Sequence, residues 1–168
     1  KFRTTAINSD VIYYHSGGRY FRKCIKDKLS NEYKEFKAIK GYGDSILCLL
    51  NSSLFYWFWI VISDCYHATL RDVEAFPTPD KFDDSSNLTN LANSLLIDLF
   101  IHASKRQRNR KDGQIIEEYN FDVGKSKLLI DAIDREISKD FNFSDEELDF
   151  IINYDFKYRM GIESDDDN

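Results

Sequence analysis

Apolar side chains recur at helical spacing in the middle of the chain. Between Leu88 and Ala103 they fall at every third or fourth position, which predicts an amphipathic helix. The residues that follow, 105–111, read KRQRNRK, and we expect the helix to continue through them because positive charge near a helix C-terminus suits the helix dipole. The pattern therefore predicts one long helix that ends in a basic run.

Two further helices are predicted toward the C-terminus. The run SKLLIDAIDREI, 126–137, again places its apolar residues on one helical face. A capping box of Ser144 and Glu147 then opens a helix in DEELDFIINYDFKYRM, since each side chain would bond a backbone N–H at the helix start. The acidic residues that end the chain predict a disordered tail over 162–168.

The N-terminal part of the chain predicts strands instead. Within residues 10–25, tyrosines and β-branched residues flank Gly17-Gly18, which favours a β-hairpin closed by a tight two-residue turn. The pattern favours another strand at 35–39. Residues 113–123 alternate enough to form a strand or an extended connector.

A hydrophobic, aromatic run lies between the predicted strands and the predicted helices. Residues 46–62, which contain LFYWFWIV, predict a buried helix from about Asp44 to Ser63. The run is interrupted by Asn-Ser-Ser at 51–53 and falls short of the ~20 residues that span a bilayer, so we interpret it as a helix through the centre of a domain.

The order of these elements predicts an α+β fold. An N-terminal β-hairpin and small sheet would pack on the buried aromatic helix, and a mainly helical part would follow. A second capping box, Thr69 with Asp72, predicts a short helix that Pro77 ends.

Charge and cysteine content indicate which partners the chain can bind and in which compartment it works. The net charge is −6, but residues 1–40 carry ten Lys/Arg against four Asp/Glu, while residues 134–168 carry four against twelve. The basic part can therefore still bind phosphate. Three widely spaced cysteines predict reduced thiols in a cytoplasmic protein, and a chain that starts at Lys1 predicts a piece of a longer protein.

Catalytic patterns are weak in this sequence. Cys65-x-His67 has the residue types of a nucleophile pair or of two metal ligands, but no third partner is visible. Fragments of a nuclease carboxylate–lysine pattern are too widely separated, and Gly41-Tyr42-Gly43 is too short for a phosphate-binding loop. We expect no metal and no catalytic residue in this chain.

Residues suited to nucleic acid are better represented. The hairpin interleaves aromatic and basic side chains, which can stack on bases, bond guanine or contact phosphates. The loop that follows the aromatic helix adds donors and acceptors, and the run after Ala103 adds phosphate-binding candidates. The full set of candidate DNA-binding residues is Tyr14, His15, Arg19, Arg22, Lys23, Asp64, His67, Thr69, Arg71, Lys105, Arg106, Arg108 and Arg110.

Two stretches of the sequence resemble a known protein family. LLNSSLFYWFWIVISDCYHATLRDVEAFP, 49–77, and LLIDAIDREISKDFNFSDEELDFIINYDFKYRMG, 128–161, resemble the C-terminal region of adenine-specific DNA methyltransferases of type II restriction–modification systems, including the fused type IIG enzymes. The hairpin sequence IYYHSGGRYFR is similar to the start of the target-recognition domain in that family.

The resemblance implies a protein that recognises DNA but does not itself methylate it. In the family, an N-terminal domain binds S-adenosylmethionine and grips the flipped adenine through an Asn/Asp-Pro-Pro-Tyr/Phe motif, which this sequence lacks. We therefore expect a bacterial, cytoplasmic fragment with no cofactor of its own, whose partners are double-stranded DNA and the methyltransferase domain of the longer enzyme. We do not expect a membrane partner.

The resemblance also assigns parts of the chain. Residues 1–124 would form the DNA-reading domain, with residues 125–161 as a helical segment packed on it. Asp64, His67, Thr69 and Arg71 match the family pattern, whereas we expect Asp72 to serve as a cap partner and Cys65 to lie in the core. Two alternatives stay open: a protein-docking module whose acidic C-terminal part binds other subunits, and a hydrolase built on Cys65 and His67.

Overall fold

A computed structural model of the chain describes residues 2–17, 23–79, 82, 85–109 and 113–154, with the backbone alone at position 116. It has the α+β fold that the sequence predicts. The strands are β1 (Ser9–His15), β2 (Cys24–Ile25), β3 (Tyr33–Ile39), β4 (Ala103–Asn109) and β5 (Ile115–Phe121). The helices are α1 (Gly43–Asn51), α2 (Ser53–Ile62), α3 (Leu70–Ala75), α4 (Ser85–Ile101), α5 (Lys127–Phe141) and α6 (Asp145–Asn153), with a 3₁₀ turn at Val123–Ser126.

The N-terminal strands form a three-stranded antiparallel sheet in the order β2-β1-β3. Because side chains alternate along a strand, Ile12 and Tyr14 of β1 point into the core, and Val11 is exposed. Helix α1 packs against this sheet on one side and against α4 on the other. The sheet confirms the strand predicted at 35–39 and the pairing of the hairpin strands.

The predicted two-residue turn at Gly17-Gly18 is wrong. Tyr13 pairs with Ile25, Tyr14 pairs with Cys24, and the His15 N–H donates to the Lys23 carbonyl at 2.9 Å. This register leaves residues 16–22 as the connection, whereas a two-residue turn at 17–18 would place residue 16 opposite residue 19. Residues 18–22 lie outside the described part of the chain.

The single aromatic helix predicted over 44–63 is two helices bent by 64° at Ser52. Ser52 has extended backbone angles (φ −74°, ψ 156°), so neither helix continues through it. Its hydroxyl donates to the Leu49 carbonyl at 2.6 Å and accepts from the Phe55 N–H at 3.0 Å. One serine therefore ends α1 and caps α2.

No single helix in the described residues has the length and apolarity to cross a membrane, although α1 and α2 together meet those criteria as a bent pair.

The prediction that the helix of 88–103 continues through KRQRNRK is also wrong. Helix α4 ends at Ile101, and residues Ala103–Asn109 form strand β4, which pairs antiparallel with β5. The predicted favourable contact between the basic run and a helix dipole is therefore absent. On a helix, Lys105 and Arg108 would have been like-charged neighbours; across the strands, Glu117 and Glu118 face them instead.

The remaining helices follow the sequence closely. Helices α3 and α6 begin at the two predicted capping boxes, and α5 covers the predicted 126–137 segment before ending at Asn142, whose φ is +54°. One apolar core joins the sheet, α1, α2, α4, α5 and α6. The predicted continuation of the last helix beyond residue 154 and the acidic tail lie outside the described residues.

Candidate nucleic-acid interface

The end of the hairpin and the loop after α2 lie side by side. The Ala68 N–H donates to the Ser16 carbonyl at 2.9 Å, which joins the loop of residues 63–69 to the residue that follows β1. Ser16 is held from its other side by Glu32, since its N–H and its hydroxyl both donate to the Glu32 carbonyl at 2.8 Å. Two regions that the sequence predicts to bind DNA therefore share one surface.

Two side chains fix the shape of the 63–69 loop. The indole N–H of Trp59, a fully buried residue of α2, donates to the His67 carbonyl at 2.9 Å. The Asp64 carboxylate accepts from the Tyr66 and His67 N–H groups at 2.9 and 2.7 Å, and it lies 3.0 Å from Nδ1 of His67. Asp64 is thus a loop-shaping residue in this structure.

These hydrogen bonds change the acidity of Asp64. Bonds from the backbone of His67, from its ring and from the backbone of Tyr66 lower the pKa of the Asp64 carboxyl to about 2. The exposed carboxylate is therefore charged at neutral pH.

The capping box beside the loop starts the helix that carries Arg71. Oδ2 of Asp72 accepts from the N–H and the hydroxyl of Thr69 at 2.8 Å, and the Thr69 hydroxyl accepts from the Asp72 N–H at 3.3 Å. This confirms the prediction that Asp72 is a cap partner. Arg71 is exposed, and within the described residues its guanidinium makes no ion pair.

An open cavity of about 580 Å³ lies where these groups meet. Its wall combines apolar side chains from α2 with the polar groups of the loop and α3. The lining residues are Phe58, Ile62, Ser63, Asp64, His67, Thr69, Arg71, Asp72 and Ala75. The cavity thus brings together Asp64, His67, Thr69 and Arg71, four of the predicted DNA-binding residues, with charges of both signs.

The predicted hairpin contacts are divided by the structure. The prediction that Tyr14 contacts DNA is corrected, because Tyr14 is only 5% exposed and its ring packs in the core. Burial and the nearby Asp72 carboxylate raise the pKa of Tyr14. His15 is half-buried, with Nδ1 2.8 Å from the Gly17 carbonyl and its ring edge against Tyr33. Arg19 and Arg22 lie outside the described residues.

Lys23 connects the hairpin to the β4–β5 pair, since its ammonium lies 5.8 Å from the ring centroid of Phe121. On β4, Lys105, Arg106 and Arg108 are exposed. Lys105 lies 3.6 Å from Glu117, and Arg108 lies 3.5 Å from Glu118. Arg110 lies outside the described residues.

Cys65 does not lie in the core, and that prediction is wrong. The residue is exposed and has a φ of +57°, because the tight turn built on Asp64 leaves its side chain toward solvent. Its Sγ is 3.4 Å from the Ile60 carbonyl, whereas the His67 ring is held by Asp64. Among the described residues, no three His, Cys, Asp or Glu side chains are grouped to hold a metal ion.

The glycine turn at 41–43 is occupied by a side chain of the chain itself. Oδ2 of Asp10 accepts from the N–H groups of Gly41 and Gly43 at 2.7 and 3.1 Å, and Oδ1 pairs with Lys40. Burial raises the pKa of this carboxyl, but the bonds from Lys40, Gly43 and Gly41 outweigh that effect and lower it. The turn therefore holds a carboxylate where a phosphate loop would hold its ligand.

Sequence reasoning missed two features of this surface. The hydrogen bond by which Trp59 fixes the loop has no local signature in the sequence. Strand β5 confirms the strand predicted within 113–123, but its pairing with β4 was missed, although Asp112-Gly113 between two seven-residue strands is a hairpin signal and Gly113 has a φ of +82°.

No family model, no curated protein and no solved structure matches this chain. The resemblance to adenine-specific DNA methyltransferases therefore stays a prediction.

Proposed function

We propose that this protein recognises a DNA sequence on behalf of an adenine-specific DNA methyltransferase of a restriction–modification system. The observation that supports this most is the hydrogen bond between Ala68 and Ser16, because it unites the hairpin end and the 63–69 loop into one rigid surface. A rigid surface loses less entropy on binding than a mobile one.

The chemistry of the surface suits this role. Arg71 is exposed at the rim of the cavity, and the loop beneath it is fixed by Trp59 and Asp64. An exposed arginine beside a fixed loop can bond a base edge or a phosphate. The carboxylates of Asp64 and Asp72 are engaged with backbone N–H groups, which reduces their repulsion of DNA.

The longer enzyme would supply the rest. In this proposal S-adenosylmethionine binds its methyltransferase domain, which also grips the flipped adenine, and the present chain holds the surrounding duplex while the base leaves the stack. The protein would work in the bacterial cytoplasm. Its partners would be double-stranded DNA and that catalytic domain.

Salt dependence of duplex binding tests the proposal. With about four phosphate contacts, affinity for duplex DNA should fall roughly a hundredfold between about 50 and 200 mM salt. Arg71→Ala should weaken binding to a selected duplex by ~1–3 kcal/mol if Arg71 reads a base. Arg135→Ala, which removes an exposed arginine from α5, is the matched control and should have little effect. Absence of duplex binding at low salt would refute the proposal.

A second function, docking to another protein, is favoured by one observation. A cavity of about 400 Å³ between α2 and α6 is lined by Leu54, Trp57, Phe143, Glu146, Glu147, Phe150 and Ile151, and Phe150 is 54% exposed. An apolar pocket rimmed by carboxylates suits a basic protein surface. In a docking module, Phe150→Ser should abolish binding to the catalytic domain, and the isolated protein should bind no DNA.

A further inference from the structure

The β4–β5 ribbon, Ala103–Asn109 paired with Ile115–Phe121, stands away from the core for most of its length. Every residue from Ser104 to Asn109 is exposed, and Ile115 at the other end of β5 is 64% exposed. Among the described residues, only the end of the ribbon next to α4 is packed. There the ring centroids of Tyr119 and Phe121 lie 5.6 and 5.3 Å from that of Phe100. A two-stranded ribbon is marginally stable in water, so a partner surface would order it.

The two faces of the ribbon differ. Lys105 is opposite Tyr119 and its ammonium lies 5.2 Å from that ring, so it shares the face that packs on Phe100. Arg106 and Arg108 alternate with it and point from the opposite face. That outward face also carries Ser104, Glu118 and Asn120.

The shape and charge of the outward face fit duplex DNA. Seven residues at ~3.4 Å each make a strand of about 24 Å, and a two-stranded ribbon fits a major groove about 12 Å wide. An arginine fork matches O6 and N7 of guanine, and an asparagine amide matches N6 and N7 of adenine. Glu118, which is opposite Arg106 in the strand register and lies 3.5 Å from Arg108, can accept from N4 of cytosine.

We propose that the β4–β5 ribbon enters the major groove of the target duplex with its outward face, where Arg106 and Arg108 contact bases. This inference rests on the proposed DNA-recognition function and goes beyond it by naming the groove, the element and the residues. Lys105, one residue away with the same charge, faces the core side and contacts no base.

The test compares variants on two duplexes, one selected by the unaltered protein from a random-sequence pool and one with the same bases scrambled. Arg106→Ala should lower the preference for the selected duplex about tenfold or more, whereas Lys105→Ala, which removes no base contact, should change that preference by less than about threefold. Arg106→Lys keeps the charge but loses the fork, so it should also lose about tenfold. Circular dichroism and thermal melting establish that each variant is folded.

A modified duplex tests the groove itself. Replacing cytosine by glucosylated 5-hydroxymethylcytosine fills the major groove and leaves the phosphates open, so the unaltered protein should bind it at least tenfold more weakly. If that duplex binds normally, or if Lys105→Ala and Arg106→Ala lower the preference for the selected duplex equally, the groove inference is overturned while DNA recognition stands. If no duplex is selected at all, the proposed function fails as well.

Discussion

The side-chain amide of Asn51 pairs with the backbone of Cys24 as a neighbouring strand would. Its Oδ1 accepts from the Cys24 N–H at 2.8 Å, and its Nδ2 donates to the Cys24 carbonyl at 2.7 Å and to the Leu47 carbonyl at 3.0 Å. Both residues are fully buried. Because Cys24 lies on the edge strand β2, Asn51 closes that edge and fixes the hairpin to α1.

Replacing Asn51 should therefore destabilise the whole domain. Asn51→Leu leaves the N–H and the carbonyl of Cys24 buried without partners, and we expect the free energy of unfolding to fall by ~2–4 kcal/mol. Urea denaturation followed by far-UV circular dichroism measures this. The matched control is Asn93→Leu, where an exposed amide accepts from Lys26 at 3.2 Å and the loss should stay below about 1 kcal/mol. Equal losses in the two variants would contradict the role assigned to Asn51.

The shape of the 63–69 loop should resist acid. Since the pKa of Asp64 is lowered to about 2 from 3.8, the folded loop favours the carboxylate. This stabilisation is fully present above the unfolded pKa of 3.8, falls as the unfolded chain takes up the proton, and is gone once the pH has fallen through about 2.

Nuclear magnetic resonance measures this directly. The Tyr66 and His67 amide protons, which donate to Asp64, should show no chemical-shift titration with a midpoint near 3.8, the ordinary carboxyl value. In Asp64→Asn, no carboxylate titrates, so these shifts should not follow a carboxyl titration at any pH. A midpoint near 3.8 in the unaltered protein would show that the loop does not hold the carboxylate.

The three cysteines should differ in reactivity. Burial raises the pKa of the Cys24 and Cys48 thiols, whereas Cys65 is exposed. A thiol reagent such as Ellman's should therefore modify one cysteine in the native protein and all three after denaturation. Cys65→Ala should abolish the native reaction and leave duplex binding unchanged. If Cys65→Ala instead loses activity, the alternative of a hydrolase built on Cys65 and His67 becomes the better interpretation.

Local signals in this sequence predicted local structure well. Each capping box needs residues only three apart, and the helix starts at Thr69 and Ser144 follow from them. The bend at Ser52 was harder to predict, because the apolar run continues on both sides of it. A remote contact supports the cap that Ser52 makes: the Ser53 N–H donates to the buried carboxylate of Asp134 on α5, 2.8 Å away.

The basic run shows the opposite limit. Its composition predicted the end of a helix, but the strand pairing depends on Glu117 and Glu118, which come after an intervening turn. The surface around Asp64 was predicted as a group of residues, and its geometry was not. Hydrogen bonds such as those from Trp59 to His67 and from Ala68 to Ser16 join segments whose contact no spacing rule encodes.

His102 alone separates the last residue of α4 from the first of β4. Because the connection is one residue long, its length decides which side chains of the strand face away from α4. Insertion of one amino acid there would turn Arg106 and Arg108 toward Phe100 and bring Lys105 and Gln107 to the open side. A substitution in the strand thus changes one side chain, whereas a change in the length of this joint changes the entire exposed face.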